Sequence, residues 1–242
     1  GGRNAGEHLV CDLLQEQNLG VVLRSARPTH LIHLAWYVEH GKYWSSPLNS
    51  DWVGATGRLL QAFGECGGRH ALVAGTCAEY GGEHPVCSEN GTPTHPSTPY
   101  GTAKDAARRL GEELCCRHGF RLTWARIFFP YGPGEDRQRL IPSLFSVCRG
   151  ARRPFGVNLQ DSRDLLHVSD LAEAICHCSQ RALEGVVNLC SGLPVTIREL
   201  VETIARICAY DPAPLMELAP ERTGVPRSQV GDNRKLLSTG WR

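Results

Sequence analysis

Three short apolar runs set the frame of this chain. Thr29-His30-Leu31-Ile32-His33-Leu34-Ala35-Trp36 follows Arg27-Pro28, Arg69 to Gly75 reads RHALVAG, and Phe120 to Phe128 closes the series. Each is short enough for a strand and apolar on both faces, the pattern of a strand buried in a parallel sheet. Between the first two, Leu48 to Cys66 has helical character and meets Gly67-Gly68. Between the second and third, a Pro-rich loop from Pro93 to Pro99 leads into a helix. Its small apolar positions Ala103, Ala106, Ala107, Leu110 and Leu114 keep the helical period and stop before Gly119. The alternation β-α-β-α-β predicts an α/β fold with a parallel sheet.

The second half is more mixed. Gly150 to Arg163 is rich in Arg, Pro and Gly, a helix is expected from Ser169 to Leu183, and Val186 to Leu189 reads as a strand. Thr196-Ile197-Arg198-Glu199 is a capping box that opens a further helix. From Pro212 to Arg227 regular structure should be scarce. The expected division is a main domain over 1–131 with part of 164–190 returning to it. Residues 132–163 and 191–242 would form a smaller, interleaved lobe.

At 242 residues the chain can bury a sizeable core. Lys+Arg 26 against Asp+Glu 25 leaves a formal charge of +1, which gives no global field toward nucleic acid or anionic membrane. The expected partner is a small molecule. No apolar stretch approaches the roughly 20 residues of a bilayer-spanning helix, and GGRNAGEHLV lacks a signal-peptide core. The expectation is a cytoplasmic protein. The 11 cysteines are odd in number, form no CxxC, and sit mostly in apolar segments, so they read as reduced core residues. Cys176-His177-Cys178 and Cys115-Cys116 are too close along a helix to close a tetrahedral site, and no metal is expected.

The strongest chemical signal is Tyr100-Gly101-Thr102-Ala103-Lys104. Four residues on a helix put the phenol and the ammonium on one face, where the cation is expected to lower the phenol's pKa toward neutrality. The chain has only three Lys, with Arg in nearly every other basic position, so a Lys here is informative. Thr76, just past the second strand, could donate to the same substrate oxygen that Tyr100 protonates. A Thr in such a turn also commonly bonds its own backbone.

Four segments occur together and in order: Val73 to Gly81 (VAGTCAEYG), the YGTAK helix, Arg126 to Gly134 (RIFFPYGPG) and Arg163 to Ala172 (RDLLHVSDLA). In this the chain resembles the extended short-chain dehydrogenase/reductases, the group of nucleotide-sugar epimerases, dehydratases and ketoreductases. The resemblance runs from about Asp12 to Trp241. It implies a Rossmann-like doubly wound parallel sheet with a smaller α/β substrate lobe, NAD or NADP as cofactor, a nucleotide-sugar substrate and a homodimer. By that resemblance Thr76, Tyr100 and Lys104 are catalytic, with Lys104 also on the nicotinamide ribose. Asp12 and Leu13 would meet the adenine side of the cofactor, and Leu34, Ala35, Trp36 and Ala74 would line its site. Thr76, Cys77, Ala78, Phe129 and Arg163 would face the substrate, the last on its diphosphate.

Two departures accompany the likeness. The family opens on a strand and a Gly-rich GxxGxxG turn that cradles the pyrophosphate, and Gly1, Gly2 and Gly6 do not supply one. The expectation is that the opening strand, helix and second strand are missing from this sequence. Phe129 stands where many members carry Asn.

Dehydratases carry Asp-Glu directly after the catalytic Thr, whereas Cys77 and Ala78 offer no carboxyl. Hydride transfer at a ring carbon remains, and the AGTCAEY wording favours a 4-ketoreductase of deoxysugar type over a 4-epimerase with tightly held NAD. A catalytically idle nucleotide-binding relative is the reading from another class.

Overall fold

The computed structural model describes residues 8–15, 19–82, 84–218 and 228–242. Gly1, Gly2, Gly6 and most of the Pro-rich stretch before Arg227 lie outside the described residues. In chain order the elements are α1 (Leu19–Ala26), β1 (His30–His33), α2 (Leu48–Glu65), β2 (His70–Thr76), a 3-10 turn at Cys77–Glu79, β3 (Val86–Cys87), α3 (Pro99–His118) and β4 (Arg121–Ile127). There follow β5 (Phe129–Tyr131), α4 (Leu140–Cys148), β6 (Ser162–His167), α5 (Val168–Gln180), β7 (Gly185–Leu189), β8 (Pro194–Thr196), α6 (Ile197–Ile207), α7 (Ala213–Met216), β9 (Ser228–Gly231) and α8 (Arg234–Ser238).

The first sheet has the order β1-β2-β4-β7 and is parallel throughout. β2 is buried along its whole length, because α2 and α3 cover one face and α5 the other. Leu60, Phe63, Val73, Ala107 and Trp124 fill the first side, and Leu72, Ala125, Ala174, Val187 and Leu236 the second. This is the doubly wound, Rossmann-like α/β arrangement that the alternation implies. The helix after the Pro-rich loop is capped as its sequence demands: the Thr98 hydroxyl accepts from Gly101 N–H, Pro99 sits in the first turn, and Gly119 ends it at φ 73°.

The second sheet has the order β3-β9-β6-β5, with β8 antiparallel beside β6. Helices α4 and α6 close a separate core of Leu144, Val147, Val157, Val201, Ile204 and Leu215. The capping box of Thr196 and Glu199 opens α6 as expected. The final helix α8 lies against β7, with Leu236 buried in the core of the first sheet.

The third apolar run forms β4 and ends where expected. At Phe128, whose N–H still bonds the Leu189 carbonyl, the chain leaves the first sheet, and β5 then pairs with β6. Phe129 is thereby carried into the second sheet. The first run is shorter than its apolarity predicts, because the ladder to β2 ends at His33 opposite Val73. Leu34, Ala35 and Trp36 leave the sheet, and Trp36 turns back into the core.

Candidate active site

A cavity of about 680 Å³ opens between the two sheets, at the carboxyl ends of β2 and β4, where ligands of open α/β sheets gather. Thr76, Tyr100 and Lys104 line it, together with Leu34, Trp36, Ala74, Cys77, Phe129 and Arg163. Asp12, Leu13, Ala35 and Ala78, also expected at the cofactor or substrate, are not in its wall. The exposed Asp12 carboxylate caps its own turn by taking the Leu14 N–H. Leu13 packs beside Leu19, Leu59 and Ala62, while Ala35 faces out. Ala78 spends its N–H on the Thr76 hydroxyl and sets its carbonyl against helix α3.

Thr76 is the last residue of β2 and the N-cap of the 3-10 turn. Its hydroxyl accepts the Ala78 N–H at 3.2 Å, the local role common for Thr in turns, and lies near enough to Tyr100 to act on its phenol. The turn is held by Glu79, which is fully buried. Its Oε1 accepts from Thr76 N–H at 2.9 Å and from Trp124 Nε1 at 2.9 Å, and its Oε2 from Arg126 Nε at 2.8 Å. Arg126 in turn lies 4.2 Å over the ring of Tyr80. Sequence reading passed over Glu79, although Thr76 to Glu79 is a capping box of the same form as Thr196 to Glu199.

Gly101 brings α3 down onto this turn: a Cβ there would stand 2.6 Å from the Ala78 carbonyl oxygen. Tyr100 is 8 % exposed, with Tyr43 and Trp44 edge-on to its ring at 4.9 and 5.6 Å. Burial pushes its phenol well above the ordinary tyrosine range, and Thr76 opposes this only in part. The expected fall in the Tyr100 pKa is therefore not found. Its neighbour shifts the other way: burial pulls Lys104 down to about 7, against a smaller upward pull from Glu79. The Lys104 ammonium donates to the Ala74 carbonyl at 2.8 Å and lies 3.9 Å from the centre of the Trp36 ring.

Across the cavity, Arg163 donates to the Ser162 carbonyl and to Asp161, and its guanidinium lies 5.2 Å from the Phe129 ring. Cys77 is buried, and desolvation drives its thiol far up, so it meets the cavity as an un-ionised, weakly polar group. Glu79 is tied to three donors and lies outside the cavity wall, so it does not take the place that Cys77 and Ala78 leave open; the carboxylates in that wall are Glu135 and Asp161, the latter paired with Arg163. The Cys-His-Cys run on α5 does not converge either: Cys178 is buried, Cys176 is exposed, and His177 bonds Thr239.

A parallel sheet with a Thr, a Tyr and a Lys at its carboxyl edge is the arrangement of a dinucleotide-dependent α/β protein. The chain belongs to the NAD dependent epimerase/dehydratase family, whose model matches residues 2–190. It is 29% identical over 225 residues to a UDP-glucose 4-epimerase of Streptomyces lividans, covering 84% of this chain and 65% of that protein. It is 28% identical over 244 residues to a GDP-6-deoxy-D-mannose reductase of Pseudomonas aeruginosa, covering 96% and 80%. Among solved structures, MoeE5 in complex with UDP-glucuronic acid and NAD superposes with a TM-score of 0.79 at 28% identity, over 94% of this chain and 77% of that one. The chain thus spans about two thirds to four fifths of the length of these relatives. Among the described residues no helix is long and apolar enough to cross a membrane.

Proposed function

We propose that the protein is an NAD(P)-dependent nucleotide-sugar oxidoreductase that reduces a 4-keto sugar carried on a nucleoside diphosphate. The observation that carries the reading is that Thr76, Tyr100 and Lys104 line one cavity, with Thr76 near enough to act on the Tyr100 phenol. The nicotinamide end of the cofactor fits the donor set here. The Lys104 ammonium has three N–H donors, and the Ala74 carbonyl takes one, which leaves two for a ribose diol. When bound, that cofactor supplies hydride exchange with a ring carbon.

Tyr100 gives its proton to the sugar oxygen as the carbonyl becomes an alcohol, and Thr76 donates to the same oxygen as charge develops there. Burial holds the phenol protonated, the form that a reduction needs at its start, while making it a weaker acid that the developing charge on the sugar oxygen must draw on. Arg163 faces the substrate diphosphate, and Cys77 and Phe129 wall the sugar. On this reading the main domain is 1–131 and part of 164–190, apart from the strands Val86–Cys87 and Phe129–Tyr131 that join the second sheet, and the substrate lobe is 132–163 and most of 191–242. Residues 234–242 go with the main domain, where Leu236 and Trp241 pack.

A 4-epimerase that oxidises and re-reduces one sugar is the second reading, favoured by the likeness to the Streptomyces lividans UDP-glucose 4-epimerase. The test is to incubate the purified protein with NADH or NADPH and a mixture of 4-keto and 4-hydroxy nucleotide sugars. Stoichiometric loss of reduced cofactor marks the reductase, interconversion without net loss marks the epimerase, and failure to bind any nicotinamide leaves a non-catalytic relative. The resemblance further supports a homodimer in the cytoplasm, to be checked by light scattering and by fractionation.

A further inference from the structure

Lys104 is 3 % exposed, and among the described residues the one hydrogen-bond acceptor of its ammonium is the Ala74 carbonyl. Among the described residues no carboxylate is paired with it. Glu79 is the acid that acts on it, but through space, both of its oxygens being bound to Thr76, Trp124 and Arg126. A buried cation ordinarily requires a direct counter-charge. What occupies that place is the face of an indole, with Nζ 3.9 Å from the Trp36 ring centre.

Trp36 is itself fixed on three sides. Its Nε1 donates to Asn49 Oδ1 at 2.9 Å, and Asn49 Nδ2 donates to the Tyr43 carbonyl at 2.7 Å. Trp52 stacks on it at 5.9 Å with 27° between the planes, and its ring meets Tyr100 edge-on at 6.4 Å. The indole is thus held beside the ammonium by Asn49 and Trp52, neither of which lines the cavity, and by the edge of Tyr100.

We infer that Trp36 is a positioning residue: its ring face holds the Lys104 side chain in place and supplies the negative potential that keeps this lysine charged at the active site. The inference rests on the oxidoreductase reading for its consequence in catalysis, but not for its physical content. A ring quadrupole favours the ammonium over the neutral amine, and does so most where water is excluded. The titratable groups around Lys104 are His33 from β1, Glu79 from the turn after β2, Tyr100 on its own helix, and Tyr43 packed on Tyr100. His33 is held neutral by burial and by Lys104 itself, its pKa lowered to about 4, so it adds no competing charge near neutrality. Lys104, lowered to about 7, therefore sits where a modest change in its surroundings alters its charge.

The test is a lysine NMR titration, which needs no turnover. The chain has three Lys, at 42, 104 and 235, so protein labelled with 13C at lysine Cε gives three resonances, assigned by Lys42→Arg and Lys235→Arg. In Trp36→Leu the midpoint of the Lys104 resonance should fall by about one pH unit. Replacement of all tryptophans by 5-fluorotryptophan keeps the shape, weakens the ring face, and should move the midpoint the same way by a smaller amount. An unchanged midpoint in folded Trp36→Leu, or in the fluorinated protein if that variant does not fold, overturns the inference. In the active enzyme the alkaline fall of kcat/KM should move to lower pH in step with the NMR midpoint, whereas a merely structural role lowers activity evenly across the pH range. A shifted midpoint in a protein that turns over no nucleotide sugar upholds the inference and removes the oxidoreductase reading instead.

Discussion

Replacement of Glu79 by Gln tests how the turn carrying Thr76 is held. The amide oxygen can take the place of Oε1 and keep the Thr76 and Trp124 donors. The amide nitrogen then faces Arg126 Nε, donor against donor, where a carboxylate oxygen stood at 2.8 Å. Side-chain exposure is 3% for Arg126 and 0% for Glu79, so water cannot replace the lost partner. Removing one member of such a buried pair costs about 3–5 kcal/mol. With a slope of roughly 2–3 kcal/mol per molar urea, the unfolding midpoint should drop by about 1 M or more. Glu79→Gln combined with Arg126→Met should lose less than Glu79→Gln alone, since the unpaired charge is gone. A Glu79→Gln protein within about 1 kcal/mol of the parent, the range of an exposed pair, would refute the reasoning.

Tyr100→Phe should fold and bind cofactor like the parent but lose turnover by at least about a hundredfold, measured as kcat with a 4-keto nucleotide sugar. Gly101→Ala should push α3 off the Ala78 carbonyl and reduce kcat by about tenfold to a hundredfold, with little change in secondary structure by circular dichroism. His33, buried and bonded to Thr56, has its pKa lowered to about 4, so the unfolded chain binds a proton that the native one refuses between roughly pH 6.5 and 4. Stability should therefore fall through that window as acid is added, by up to about 1.4 kcal/mol per pH unit from this group, and His33→Gln should flatten the loss in urea titrations.

What could be read from residues alone follows from local physics. Helices α2 and α3 carry long periodic faces with glycine stops, and β2 and β4 are apolar on both faces because helices cover both sides. β5, β6 and β9 were not legible: they are three to six residues long, half-exposed in part, and paired to one another across long separations, and the Gly132-Pro133-Gly134 turn after β5 reads only as the end of the strand before it. Helix α4 was missed for another reason, with Pro142 in its first turn and an Arg- and Gly-rich segment after it. In the site, the hydroxyl pair was visible as a motif, but the Trp36 ring over Lys104 was not, since a Trp ending an apolar run reads equally as core. Tyr100 showed the limit of spacing arguments: a lysine four residues on reveals nothing of how much water the fold removes from the phenol.

The transfer of the chain from one sheet to the other at Phe128 divides the labour of the cavity. On the proposed reading, the hydroxyls of Thr76 and Tyr100 ride on a close backbone contact in one layer, while Phe129 and Arg163 are borne by strands of the other. If those roles hold, substitutions in the second layer would change which sugar is admitted and leave the hydroxyl pair where it is.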